Sequence, residues 1–182
     1  MDFIGLDIGS SSFKAVELHR EPHLFPKLTL YAQSPAPGVS INSDSETDLK
    51  TVAGALKSFV DAFPFSSRAV VVALPESQIF TRVITLPRMT EKELKNAMQW
   101  ETEQYIPIPL TEVNMDWQVL DDLSRESESN QMDVLIVASP KSIISKYLKV
   151  LKLSSLDPLA IETETLAIAR SLVGADVSTP VT

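Results

Sequence analysis

The opening residues constrain this chain most. Two apolar stretches, Phe3, Ile4, Leu6, Ile8 and then Phe13, Ala15, Val16, Leu18, flank Gly9-Ser10-Ser11-Ser12. The spacing predicts two strands joined by a tight turn of small polar residues, the first strand able to bury side chains on both faces. Glycine in such a turn lets a ligand approach the backbone. Consecutive N–H groups beside the hydroxyls of Ser10, Ser11 and Ser12 can form an anion-binding concavity. Asp7 ends the first strand, where burying a carboxylate without a partner is costly. It could hold a hydrated Mg²⁺, and Lys14 could reach a phosphate as a point charge. The competing reading is an ordinary hairpin whose turn happens to be Gly-Ser-Ser-Ser.

At 182 residues the chain can build one substantial core or two small lobes. Its net charge of −8, with no basic run, argues against a nucleic-acid surface and against electrostatic docking to acidic lipids. Cysteine is absent, which removes disulfide and thiolate chemistry and is compatible with a cytosolic home. His19 and His23 read as loop residues rather than ligands. There is no signal-peptide pattern and no stretch of membrane-spanning length, so any membrane association is expected to come through a partner.

Residues 27–33 alternate, with Leu28, Leu30 and Ala32 on one face, and predict a third strand. Ser43 with Glu46 makes a capping-box signature for a helix carrying Leu49, Val52, Ala53, Leu56, Phe59, Val60 and Phe63 inward, stopped by Pro64. Residues 69–74 form a continuous apolar run, expected for a central strand covered on both faces. Residues 78–86 read as a mixed strand, and Thr90 with Glu93 opens a helix over 91–105. Its stripe is Leu94, Ala97, Met98 and Tyr105. Glu101 lies on that stripe, either at a helix edge or against a specific partner, and Trp100 lies to one side. Further strands are expected over 114–121 and 132–138, with an exposed loop between them. Ser139 as N-cap and Pro140 at the first position then open a helix with Ile143, Ile144, Tyr147, Leu148 and Leu151 inward. A return strand over 156–161 and a helix over 163–173, stopped by Gly174, complete an α/β chain with a β-α-β-β-α insert.

Leu6-Asp7-Ile8-Gly9-Ser10-Ser11 resembles the first phosphate loop of the actin, Hsp70 and sugar kinase superfamily. Leu86-Pro87-Arg88-Met89-Thr90-Glu91-Lys92-Glu93-Leu94, Trp100-Glu101-Thr102-Glu103-Gln104-Tyr105-Ile106-Pro107 and Asp116-Trp117-Gln118-Val119-Leu120 closely resemble the PilM family. These are actin-like proteins of type IV pilus assembly, related to FtsA. Glu162-Thr163-Glu164-Thr165-Leu166-Ala167-Ile168-Ala169-Arg170 extends the resemblance over essentially the whole chain.

The resemblance implies an actin-like, ribonuclease H-like lobe 1A over residues 1–77 and 156–182, interrupted by a 1C subdomain over 78–155. It implies ATP with Mg²⁺, Asp7 acting on the metal through water, and Gly9, Ser10, Ser11, Ser12 and Lys14 on the phosphates. No second Asp-x-Gly loop follows, since after Gly9 only Gly38, Gly54 and Gly174 remain. The chain therefore reads as an N-terminal fragment whose second lobe lies elsewhere, with weak ATP binding or none, and any slow ATPase activity belonging to the full length. Catalytic residues are not identified.

The resemblance further implies a cytoplasmic protein peripheral to the inner membrane, binding the N-terminal cytoplasmic tail of PilN and possibly other pilus platform proteins. Phe80, Arg82, Trp100, Tyr105 and Ile106 are the candidate contacts for that tail, in a groove formed by strand 78–86 and the following helix. Alternatively, Trp100 fills the small core of the insert. A metabolic kinase of actin fold, and the GspL-like cytoplasmic domain of a type II secretion system, are the competing functions.

Overall fold

The computed structural model describes residues 3–19, 26–120 and 130–172, apart from the side chain of Gln99. In chain order these form β1 (Ile4–Ile8), β2 (Ser12–His19), β3 (Lys27–Pro35), α1 (Glu46–Asp61), β4 (Ala69–Leu74), β5 (Phe80–Pro87) and α2 (Glu91–Glu103). Then follow β6 (Val113–Leu120), β7 (Gln131–Pro140), α3 (Lys141–Leu153), β8 (Asp157–Thr163) and α4 (Glu164–Leu172). Contacts divide the chain into two compact units, Met1–Glu76 with Ser145–Thr182, and Ser77–Ile144. The mixed α/β architecture, with an insert between β4 and β8, is the one the sequence indicates.

The first unit carries a five-stranded sheet in the order β3-β2-β1-β4-β8. β1 pairs antiparallel with β2 and parallel with β4, which in turn pairs parallel with β8. Ile4, Leu6, Ile8, Phe13, Ala15, Val70, Val72 and Leu74 are buried on one face. α1 contributes Leu49, Val52, Ala53, Leu56, Phe59 and Val60 to the same core, with Phe59 meeting the Phe13 ring at 6.1 Å between centroids. β1 and β4 are thus buried on alternate residues rather than on both faces, and Phe3 is 42% exposed.

β3 departs from simple alternation. A bulge shifts the β2–β3 register between Glu17 and Leu18, so Leu28 stands opposite Leu18 and is exposed while Ala32 is buried. An extra residue in one strand reverses the faces beyond it. α1 is capped by Ser45, whose Oγ accepts from the N–H of Asp48 at 3.4 Å. Ser43, the expected cap, instead donates to Asp48 Oδ2 at 2.5 Å and accepts the Ser45 N–H.

Ser139 does not cap α3, and Pro140 is not its first residue. β7 runs through Pro140, and Ser139 is buried in the strand with its hydroxyl making no hydrogen bond. Of the helix's expected inward residues, Tyr147 and Leu151 are buried. Val150 joins them in place of Leu148, which is 42% exposed. This end of α3 packs with the first unit: Ser154 Oγ donates to the Ala53 carbonyl at 3.0 Å, and Lys146 Nζ lies 2.7 Å from Asp44 Oδ1. The compact unit that holds the insert ends at Ile144, inside the helix.

The second unit is a three-stranded antiparallel sheet, β5-β7-β6, covered by α2. Leu94 and Met98 pack on Ile84, Leu86, Met132, Val134 and Ile136. α2 starts with the expected capping box, Glu93 N–H donating to Thr90 Oγ1 and the Thr90 N–H donating to Glu93 Oε2 at 2.8 Å. Of the loop expected over 121–130, residues 121–129 lie outside the described residues, as do the Gly174 stop and His23.

Candidate functional site

Strand register assembles the first candidate site. Lys14 stands opposite Gln33 in β3 and opposite Asp7 in β1; Asp7 lies beside Ala73 in β4, and Ala73 beside Glu162 in β8. Gln33, Lys14, Asp7, Ala73 and Glu162 thus form one rung across all five strands, at the carboxyl end of the parallel β1, β4 and β8. Open α/β sheets place ligand crevices at that end. Two strand spacings separate the backbones of Asp7 and Glu162, about 10 Å. The methyl of Ala73 leaves the gap between them open.

The loop after β1 closes tightly. The Gly9 N–H donates to the Ser12 carbonyl at 3.1 Å, and the Ser11 carbonyl accepts from the Ala36 N–H at 3.0 Å. A Cβ at Gly9 would stand 2.9 Å from the Ser12 carbonyl oxygen and 3.7 Å from Asp7 Oδ1. Glycine is therefore required by space. Ser10 and Ser11 are exposed, and Ser12 is half-buried.

Charge at the rung is arranged in pairs. Lys14 Nζ donates to Asp7 Oδ2 at 2.7 Å. That hydrogen bond, then the Asp7 charge, and to a smaller degree Glu164, hold the Lys14 pKa above its ordinary value. Glu162 is paired with Arg170 of α4. Thr163 Oγ1 accepts from the Leu166 N–H at 3.1 Å, capping α4, and Thr165 Oγ1 donates to Glu76 Oε2 at 2.7 Å. The ends of β1, β4 and β8 are thereby lined by Asp7, Glu76, Glu162 and Glu164.

This donor set fits a polyphosphate only in company with a cation, because a bare phosphate would face the Asp7 carboxylate. Among the described residues no three His, Cys, Asp or Glu side chains cluster to hold a metal. A divalent ion could here be held by Asp7 through its waters, which suits Mg²⁺. Gly9 to Ser12 and Lys14 could take the phosphates. Glu162 and Glu164 escape a residue-by-residue reading, since their approach depends on the parallel pairing of β8 with β4.

The five candidate partner contacts fall into two pairs and a lone residue. The Arg82 guanidinium lies over the Tyr105 ring, 4.3 Å from its centroid, a cation–π contact. Ile106 is 7% exposed and clusters with Val113 and Ala138, with Phe80 packed against them. Ile106 is therefore a core residue of the insert and not a surface contact, because the turn after α2 folds its side chain onto the sheet. Trp100 is 73% exposed on α2, so it does not fill that core. Glu101 is half-buried. β5 is an edge strand whose Val83 is 51% exposed.

Residues 5–178 match the family model described as type IV pilus assembly protein PilM. A solved PilM-PilN type IV pilus biogenesis complex is similar at 30% identity and a TM-score of 0.79, over 94% of this chain and 50% of that one. The chain thus spans about half the length of the PilM structure it matches. The cytoplasmic domain of EpsL, an inner membrane component of the Vibrio cholerae type II secretion system, is similar at 16% identity. Its TM-score is 0.55, over 92% of this chain and 59% of that one, a likeness of fold alone. Among the described residues no helix is long and apolar enough to cross a membrane.

Proposed function

The chain belongs to the type IV pilus assembly protein PilM family, and on that premise we propose that it is a cytoplasmic, nucleotide-binding part of the inner-membrane pilus platform that captures the N-terminal tail of PilN. The observation that carries the reading is the 30% identity, over 94% of this chain, to a PilM-PilN complex. Two features of the insert support it. Among the described residues β5 has a strand edge without a pairing partner, to which an extended peptide can add by backbone hydrogen bonds. Arg82 stacked on Tyr105 and the exposed Trp100 supply the aromatic and arginine surface that binding patches favour.

The nucleotide part of the reading rests on the rung at Asp7 and Lys14. Bound ATP and Mg²⁺ would supply a charged, removable cofactor at the end of the five-stranded sheet. Asp7 would orient the metal through its waters, Lys14 would hold a phosphate oxygen, and Gly9 would keep the loop open.

The test is a fluorescence titration with a synthetic PilN N-terminal peptide against wild type, Arg82→Ala and Trp100→Ala, with circular dichroism as a folding check. Both variants should fold normally and bind the peptide at least several-fold more weakly. Unchanged binding by both folded variants would remove the groove from this part of the insert.

A further inference from the structure

We infer that the outer edge of β5 is also a self-association edge, pairing antiparallel with the β5 of a second copy about a two-fold axis at Val83. Among the described residues four strands bound the two sheets, β3 and β8 in one, β5 and β6 in the other. Three of them carry features that keep a strand edge from pairing. β3 starts at Lys27, ends at Pro35 and is bulged against β2. β8 holds Asp157 and Pro158 and shifts register against β4. β6 carries Asp116, whose carboxylate accepts from the Trp117 N–H at 2.9 Å. β5 has none of these before Pro87. It pairs with β7 in unbroken register from Phe80 to Pro87, and its only charged residue, Arg82, is held over the Tyr105 ring.

Residues 81–85, Thr-Arg-Val-Ile-Thr, are nearly symmetric about Val83. Two-fold pairing sets Thr81 opposite Thr85 of the second copy, Arg82 opposite Ile84, and Val83 opposite itself. Threonine pairs and β-branched pairs directly opposite each other stabilise such a ladder. On the sheet face away from α2, Gln118, Leu135 and Val83 form one rung across the insert. Pairing continues that rung through Val83, Leu135 and Gln118 of the second copy, so four apolar side chains meet at its centre with an amide at each end. Val83, 51% exposed, and the half-buried Leu135 thereby lose contact with water. Charge permits the approach. The chain carries −8 overall, yet residues 77–90 contain Arg82, Arg88 and no acid, so no carboxylate of this stretch faces another across the seam. The interface is small, and the pairing is accordingly weak and reversible. One edge takes one added strand, so a second copy and a bound tail exclude each other. That competition rests on the reading of β5 as the tail's edge; the self-pairing does not.

The experiment is sedimentation equilibrium of the full-length protein up to hundreds of micromolar, with thermal melts of every variant. Wild type should self-associate, and Val83→Lys and Val83→Glu should each weaken this about tenfold by setting like charges face to face. An equimolar mixture of the two should regain it, because a two-fold axis at residue 83 sets lysine against glutamate. Residues 1–182 contain no cysteine, and any elsewhere in the full-length protein is replaced for a second probe that leaves the fold undisturbed. Val83→Cys should then give a disulfide-linked dimer under mild oxidation, while Val119→Cys, exposed on β6, should not. A monomeric wild type, charged variants that associate like wild type, or a mixture that does not recover would each overturn the inference. The PilN N-terminal peptide should return wild type to monomer. A peptide that binds and leaves the dimer intact overturns the competition, whereas one that does not bind sinks the functional reading and leaves the self-pairing standing.

Discussion

Glu17, buried on the core face of β2, accepts hydrogen bonds from both the backbone N–H and the hydroxyl of Ser66, each at 2.8 Å. Forty-nine residues separate the two in sequence. The contact fastens the turn after α1 to the sheet, next to the Phe59–Phe63–Phe65 series of ring contacts. Thr29 adds a donor to the Glu17 backbone carbonyl at 2.9 Å. Glu17→Ala should cost about 1.5 to 3 kcal/mol, the range for losing hydrogen bonds to a charged group. Glu17→Gln keeps an acceptor and should cost less. Chemical denaturation of both variants checks this, and equal losses would contradict the role given to Ser66.

The two glycines in loop and helix should respond in opposite directions to alanine. Gly9→Ala forces a Cβ to 2.9 Å from a backbone oxygen, which cannot rotate away, and should destabilise the protein by about 1 to 3 kcal/mol. Gly54 lies within α1, and a Cβ there meets nothing within 4 Å. Gly54→Ala should stabilise by up to about 1 kcal/mol, from helix propensity alone. Thermal melts that shift the same way for both would refute the steric account of the loop.

α3 ends in a turn with an unusual occupant. The Leu156 N–H donates to the Leu151 carbonyl at 3.0 Å and the Ser155 N–H to the Lys152 carbonyl at 3.1 Å, with Ser155 at φ 58°. That is the Schellman arrangement, in which glycine is the favoured residue. Ser155→Gly should relieve the left-handed strain and stabilise by up to about 1 kcal/mol, while Ser155→Val should destabilise. The order of the three melting temperatures is the measurement.

The contact between α3 and the start of α1 should weaken in acid. The hydrogen bond from Lys149 holds the Glu46 carboxyl below its ordinary pKa, and the one from Lys146 does the same for Asp44. A depressed carboxyl stabilises the fold above its unfolded pKa. That contribution is lost as pH falls through the folded value, below the usual carboxylate range. Both carboxylates are exposed, so the effect is screened by salt. Lys149→Met should raise the Glu46 midpoint in a side-chain NMR titration. An unmoved midpoint would show that Lys149 does not hold this carboxylate in solution.

Local pattern alone carries much of this fold. The α1 stripe from Leu49 to Val60 and the Thr90–Glu93 capping box are complete in their own segments, because helix periodicity and caps involve residues a few positions apart. The glycine and serines after Asp7 likewise announce a tight loop, and the resemblance of 86–120 indicates the family before any coordinate does. Tertiary structure decided the rest, wherever the partner is distant in sequence. The bulge opposite Glu17 turns Leu28 outward, and packing of α3 with the first unit exchanges Leu148 for Val150. Sheet contacts draw Ile106 into the core and leave Trp100 outside. Parallel pairing of β4 with β8 brings Glu162 onto the rung of Asp7 and Lys14. Strand register is a long-range property, and no spacing along the chain encodes which carboxylate will stand two strands away.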